Sequence, residues 1–171
     1  MKFLALFSLI SAVAATPLFH APRASNATSK PFHLKTAEAS NEEHNNLYVY
    51  AYHTGAALND AVLTSDKETA STGFLNGTHV QFNLNNFPYG FQMFQENPYE
   101  SWSRTSIDVG YGDDGFFING TGLQWSETTF HGWLVCDWNH NAPQLFHINS
   151  YTQPKLPSSC STVHLVTEST A

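Results

Sequence analysis

Hydrophobic and polar positions alternate with a period of two along nearly the whole chain after Pro31, and no stretch there carries a convincing helical period. Phe32-His-Leu-Lys-Thr36 alternates, and Leu47 to His53 places Leu47, Val49 and Ala51 on one face with Tyr48, Tyr50 and Tyr52 on the other. Ala37 to Asn46 between them is polar and reads as a loop or one helical turn. Gly55, Asn59 and Asp60 suggest a turn ahead of a strand at Ala61–Thr64. A hairpin over Ala70–Leu84 follows, then strands at Gly90–Gln95 and Trp102–Val109 separated by the turn pair Asn97-Pro98. Tyr111 to Gly115 turns the chain into a second hairpin. Phe130 to Trp138 is apolar on both faces, the signature of a strand through the middle of a structure. Strands at Gln144–Ser150 and Thr162–Thr167 complete the pattern. About ten or more short strands with regular turn signals predict an all-β fold, an antiparallel sandwich or barrel with little helix.

The two hairpins share a sequence. Phe117-Ile-Asn-Gly-Thr-Gly-Leu-Gln-Trp125 repeats Phe74-Leu-Asn-Gly-Thr-His-Val-Gln-Phe82, and every mismatch except Gly122 for His79 exchanges one hydrophobic or aromatic residue for another. Asn-Gly at the centre of each predicts a type I′ turn, in which both central residues need φ > 0. The repeat fits an internally repeated, trefoil-like barrel, or else two similar turns serving unrelated hairpins.

The start of the chain belongs to another class. Met1-Lys2 and the apolar run Phe3–Ile10, with small residues at Ser11–Ala15, read as a secretory signal peptide over residues 1–15. Its apolar core is shorter than the roughly 20 residues that span a bilayer, and no later segment reaches that length. Residues 16–30 read as a flexible tail, and residues 31–171 as a single β domain. The expected location is extracellular or in a cell wall.

Charge removes one class of partner. After the tail only Lys35, Lys67, Arg104 and Lys155 face fourteen carboxylates, so the body carries −10 with histidines neutral. That field opposes phosphate backbones and argues against nucleic-acid binding. Cys136 and Cys160, an even pair in an oxidising compartment, predict one disulfide. The rival readings, a metal pair or a catalytic thiol, lack a Cys-x-x-Cys or a specific Cys-His motif. Asn26, Asn76 and Asn119 satisfy the N-glycosylation pattern, whereas Asn97 precedes proline.

Candidate chemistry is sparse. Asp108, Asp113, Asp114, Glu127 and Asp137 lie near tryptophans, where a carboxylate pair beside aromatic rings suits glycoside hydrolysis. His131 and Asp137 are placed to share one face of their strand as a hydrogen-bonded pair. The histidines show no metal-ligand spacing, no glycine loop cradles phosphate, and no Gly-x-Ser-x-Gly elbow is present, so no metal, cofactor or catalytic residue is assigned. Trp102, Trp125, Trp133 and Trp138 with Tyr48, Tyr50 and Tyr52 form the remaining signal: exposed, they would contact carbohydrate or a partner, and buried they would fill a core.

The run His44–Thr64, with Gly122-Leu-Gln-Trp125, Gly132–Trp138, Pro143–Phe146 and Leu156–Cys160, resembles small secreted proteins of filamentous fungi, a family without an assigned function. The Gly-Trp and late cysteine arrangement is also distantly similar to the fungal cell-wall protein of phialides. The resemblance implies a fungal extracellular β domain, and it brings no catalytic residues with it. The expected function is that of a wall-associated or released interaction glycoprotein whose partner is a cell-wall polysaccharide or another extracellular protein. A secreted effector or carbohydrate-binding module is the alternative, and a glycan-active enzyme the third.

Overall fold

The computed structural model describes residues 29–84, 86–95, 100–149 and 156–170. The signal-like segment, most of the tail, Asn26 and the Asn97-Pro98 pair lie outside them. Among the described residues strands make up 57% and helical turns 5%, and the sheet closes as a nine-strand antiparallel barrel with one extra strand. The closure decides for a barrel over a sandwich.

The described residues form twelve strands, β1 (Phe32–Ala37), β2 (Tyr48–Gly55), β3 (Leu58–Thr64), β4 (Gly73–Asn76), β5 (His79–Phe82), β6 (Tyr89–Met93), β7 (Trp102–Val109), β8 (Phe116–Asn119), β9 (Gly122–Trp125), β10 (Phe130–Asp137), β11 (Pro143–Asn149) and β12 (Cys160–Ser169). The main sheet runs β10-β12-β1-β2-β3-β11-β7-β6-β5-β4, and β10 pairs again with β11, β1 with β4 and β3 with β7. Short 3-10 turns sit at Glu42–His44, inside the polar stretch after β1, and at Asn139–Asn141, after β10.

Alternation decides which side chains enter the barrel. Phe32 and Leu34 of β1, Val49 of β2 and Val163 and Leu165 of β12 enter one core with Phe82, Phe91 and Trp133. Phe91 stands near the middle of its aromatic part, with ring centres 4.9 Å from Phe82, 6.0 Å from Phe116 and 6.1 Å from Trp133. Burying each such side chain stabilises the fold by about 1.5–3 kcal/mol. β10 is apolar on both faces because both are covered: Trp133 and Val135 lie in the main core, and Leu134 and Cys136 in a second cluster on the outer face with Phe146 and Ile148.

Two turn assignments differ from the sequence expectation. Asn59 and Asp60 lie within β3, and the turn falls one step earlier, with Ala57 at φ 64°. The Asn59 side chain that signalled a turn instead binds the neighbouring strand β7. Asn59 Nδ2 donates to Ile107 O at 2.6 Å, and its backbone N–H donates to Asp108 Oδ1 at 2.9 Å.

The second difference concerns the repeated hairpins, neither of which has a type I′ turn. In the first, Asn76 pairs with His79, so the two-residue loop is Gly77-Thr78, and only Gly77 has positive φ (62°), the arrangement of a type II′ turn. In the second, Gly120 lies outside the left-handed region, and the positive φ (99°) falls on Gly122. There Thr121 N–H and Oγ1–H both donate to Asn119 Oδ1, at 2.9 and 2.8 Å, an Asx turn. The backbones differ at the shared glycine, Gly77 against Gly120, and again at the one chemically unlike position of the repeat, Gly122 for His79. Any Cβ on Gly122 would stand 2.3 Å from Leu165 O of β12. The copies also occupy different places: β4–β5 belongs to the barrel wall, whereas β8–β9 is a separate two-stranded sheet that delivers Phe116 and Leu123 to the core. The trefoil-like reading of the repeat therefore does not describe the fold.

These geometries order three alanine variants by cost. Gly120→Ala should change stability by less than about 0.5 kcal/mol, because its Cβ meets nothing within 4 Å. Gly77→Ala should cost about 1 kcal/mol through its left-handed φ. Gly122→Ala should cost about 3 kcal/mol or more, from strain and collision together. Thermal or urea melts rank them, and a Gly122 variant as stable as wild type would contradict the assigned packing of β9 on β12.

Candidate functional site

The outer face of the barrel carries an aromatic cleft. β7 begins at Trp102, which stands in register with Ile148 of β11, and β11 turns Phe146 to the same side. β10 ends at Asp137, and the chain then bends into the turn at Asn139–Asn141, which places Trp138 over its neighbours. The three rings meet edge to face: Trp102 and Phe146 centres are 5.1 Å apart at 87°, Trp102 and Trp138 5.7 Å at 84°, Trp138 and Phe146 5.6 Å at 76°. Phe146 is buried and Trp138 is 49% exposed, so the cluster has a fixed base and an open side.

The cleft beside these rings has a volume of about 600 Å³, within the usual range for small-ligand sites. Its polar lining includes Asp60, Glu100, Arg104, Asn139 and Gln144. Asp60 Oδ2 lies 2.9 Å from His140 Nε2, and the His140 ring stacks on Tyr52 at 4.1 Å and 28°. This contact ties the segment after Trp138 to β2 and β3. Glu100 Oε2 accepts from Ser103 Oγ–H at 3.1 Å. Arg104 lies with its guanidinium 3.8 Å from the Phe94 ring centre, a cation–π arrangement. Gln144 is 3% exposed, and its Oε1 has no hydrogen-bond partner.

The structure divides the aromatic candidates. Trp102 and Trp138 form the cleft, and Tyr52 borders it through His140. Tyr50 lies 6.2 Å from Tyr52, and burial followed by the Tyr52 phenol raises its pKa. Trp133 is core, with its indole N–H donating to Leu123 O at 2.6 Å. Trp125 donates to Asp114 O at 2.8 Å and stacks on Phe116. Tyr48 is buried, and its hydroxyl donates to Glu168 at 3.2 Å. Hydrogen bonds from Lys67 first, then Tyr48 and Lys35, hold the Glu168 carboxyl down to about 2.

None of the five candidate carboxylates lines the cleft. Asp108 is buried and accepts from Ser106 Oγ–H and Asn59 N–H, Asp113 accepts from Met93 N–H, and Asp114 holds Trp125 through its carbonyl. Glu127 is exposed and accepts from Phe130 N–H through its carbonyl. Asp137 pairs with His44, not with His131, because a bulge between Phe130 and Trp133 shifts the register of β10. His131 lines a second cavity of about 310 Å³ with His164 and Glu38. Among the described residues no three His, Cys, Asp or Glu side chains converge to hold a metal ion. Asn119 is exposed at its hairpin tip, while Asn76 is half-buried and donates from Nδ2 to Gln81 Oε1 at 2.8 Å.

Cys136 and Cys160 are joined by a disulfide within the outer apolar cluster. Next to it lies an arrangement the sequence did not announce. His44 Nδ1 is 2.7 Å from Ser161 Oγ, and Nε2 is 3.3 Å from Asp137 Oδ1. The order of groups is that of a hydrolytic triad, but Ser161 is 2% exposed and lines neither cavity, so no substrate carbonyl reaches it. The trio pins the Glu42–His44 turn to β10 and β12. Phe146, Asp60, Glu100 and Gln144 were likewise missed as site residues. Only the alternation that sends Gln144, Phe146 and Ile148 to one face was readable, and it leaves open what that face meets.

A profile of a domain of unknown function matches residues 29–169, from Ser29 to the end of β12. The chain belongs to the DUF7907 family. The DUF7907 match spans all twelve strands, and every residue of the cleft lies within it. No match was found among curated proteins, nor among solved structures.

One group inside the DUF7907 barrel links its stability to pH. His147 is 1% exposed, its Nε2 has no partner, and burial pushes the imidazole down to about 4. The unfolded chain takes up this proton near the ordinary value of 6.5, and the folded one does not until about pH 4. The contribution of His147 to stability is therefore full above 6.5, falls as pH drops between 6.5 and 4, and levels off below. The slope should approach about 1.4 kcal/mol per pH unit for one proton. Urea midpoints between pH 4 and 7 should show this slope in wild type and a flatter one in His147→Leu. An unchanged slope would remove His147 as its source.

Proposed function

We propose that this chain is a secreted, non-catalytic β-barrel glycoprotein of a filamentous fungus, and that its outer cleft binds saccharide in the cell wall or the surrounding medium. The observation that carries the reading is the meeting of Trp102 and Trp138 over buried Phe146 beside Asp60, Asn139 and Gln144. Indole faces suit the C–H faces of sugar rings, and polar groups at the edge suit hydroxyls. The acidic body, −10 after residue 30, disfavours polyanions. The signal-like start, the disulfide and the resemblance to small secreted fungal proteins support the location.

Asp60 and Glu100 share the cleft, and that favours a glycan-active enzyme as the second reading. Release of reducing ends from a polysaccharide by wild type, abolished in Asp60→Asn, would establish it over pure binding.

Two measurements test the main reading. Intrinsic fluorescence reports on Trp102 and Trp138 directly, so titration with neutral oligosaccharides should shift emission. Trp138→Ala should weaken binding at least tenfold, about 1.4 kcal/mol, with an unchanged melting temperature, since the ring is half exposed. Absence of binding across a panel of oligosaccharides would reject the reading. For location, protein recovered from the medium or wall fraction of the native host should begin at Ala15 or Thr16 and carry N-glycans at Asn76 and Asn119. A full-length cytosolic protein would contradict secretion.

A further inference from the structure

We infer that the cleft is specific for a 2-acetamido sugar, with Gln144 as the residue that reads the acetamido N–H; this rests on the saccharide reading above. Polar groups around the cleft differ in what they still lack. Asp60 is engaged by His140, and Glu100 by Ser103. The Gln144 carbonyl oxygen is buried and unmatched, on a side chain only 3% exposed that lines the cleft. A buried acceptor without a donor is costly, and a ligand that supplies the donor gains what the free protein forgoes. The missing group is therefore an N–H or O–H donor.

What surrounds Gln144 narrows the choice. Phe146 lies two residues along β11 and so on the same face, with Trp102 against it at 5.1 Å. An acetamido group brings a donor and a methyl in one plane, matching an acceptor beside an apolar surface. A hexose hydroxyl supplies the donor and leaves the apolar surface without its methyl. A free ammonium would bring a full charge into a cleft whose carboxylates are already engaged and which Arg104 also lines.

Fluorescence titration with N-acetylglucosamine, glucosamine and glucose oligomers of equal length and linkage tests this. Wild type should bind the N-acetylated series at least tenfold tighter than the other two. Gln144→Leu should remove that preference, bringing the N-acetylated affinity down to that of the glucose series, whereas Gln144→Glu, which keeps an acceptor there, should retain part of it. Trp138→Ala should weaken all series together. Equal binding of the three series by wild type, or a preference that survives in Gln144→Leu, overturns the assignment and leaves saccharide binding standing. Failure of every series to bind overturns the saccharide reading itself. The wild-type comparison decides the point even where a Gln144 variant fails to fold.

Discussion

The structure depends on β10 being buried on both faces and paired on both edges. Its edges are taken by β11 and β12, and those two ladders close the barrel. Closure leaves no free edge at this point, and it is possible only because the strand is apolar on both sides: Trp133 and Val135 serve the interior, Leu134 and Cys136 the outer cluster. The outer cluster in turn supplies the base on which Trp102 and Phe146 rest. One strand thus supports the core and the site, and its exit delivers Trp138 to the cleft.

Two further ties hold the β10–β12 ladder in register. Cys136 faces Cys160 across it, and the adjacent pair Val135 and Ser161 leads to the Ser161–His44–Asp137 contacts. The disulfide joins positions 24 residues apart, and in the chain-entropy picture a loop of that length contributes about 3 kcal/mol. His44 recruits a third element to the same place. A register slip of one residue would break both ties and send Trp133 out of the core. The polar trio therefore acts as a register device, with its serine closed off by the packing that makes the ladder stable.

Period-two alternation made the fold class, most strands, the central place of β10 and the cysteine pairing legible in the sequence, because each is written in local pattern or parity. Turn identity was less legible. Asn59 and Asp60 carry turn chemistry, but β7 offers Asn59 the Ile107 carbonyl and the Asp108 carboxylate, partners that a lone sequence does not display. Asn-Gly suggested one turn type for both hairpins, whereas pairing moved the loop forward by one residue and gave each its own backbone. The clue was present in the mismatch of Gly122 with His79, and its meaning needed Leu165, which lies 43 positions later. The cleft was legible only as a set of tryptophans. Trp102 and Phe146 come from two strands and Trp138 from the bend after a third, and whether a ring joins the interior or the outer face depends on contacts far apart in sequence. Asp60, Glu100 and Gln144 carried no motif at all.

The two unmatched groups of β11 separate stability from recognition. His147 and Gln144 are both buried with one polar atom unsatisfied, and both lie on a strand covered on each side. His147 sits beside Trp125 at 5.9 Å and lines neither cavity, and its burial, which opposes protonation, appears as lost stability in acid. Gln144 lines the cleft, and on the proposal above the donor of a bound ligand satisfies it. The same defect thus has different consequences according to the face on which alternation places it. Odd and even positions of one strand thus set the first beside Trp125 and the second against the cleft.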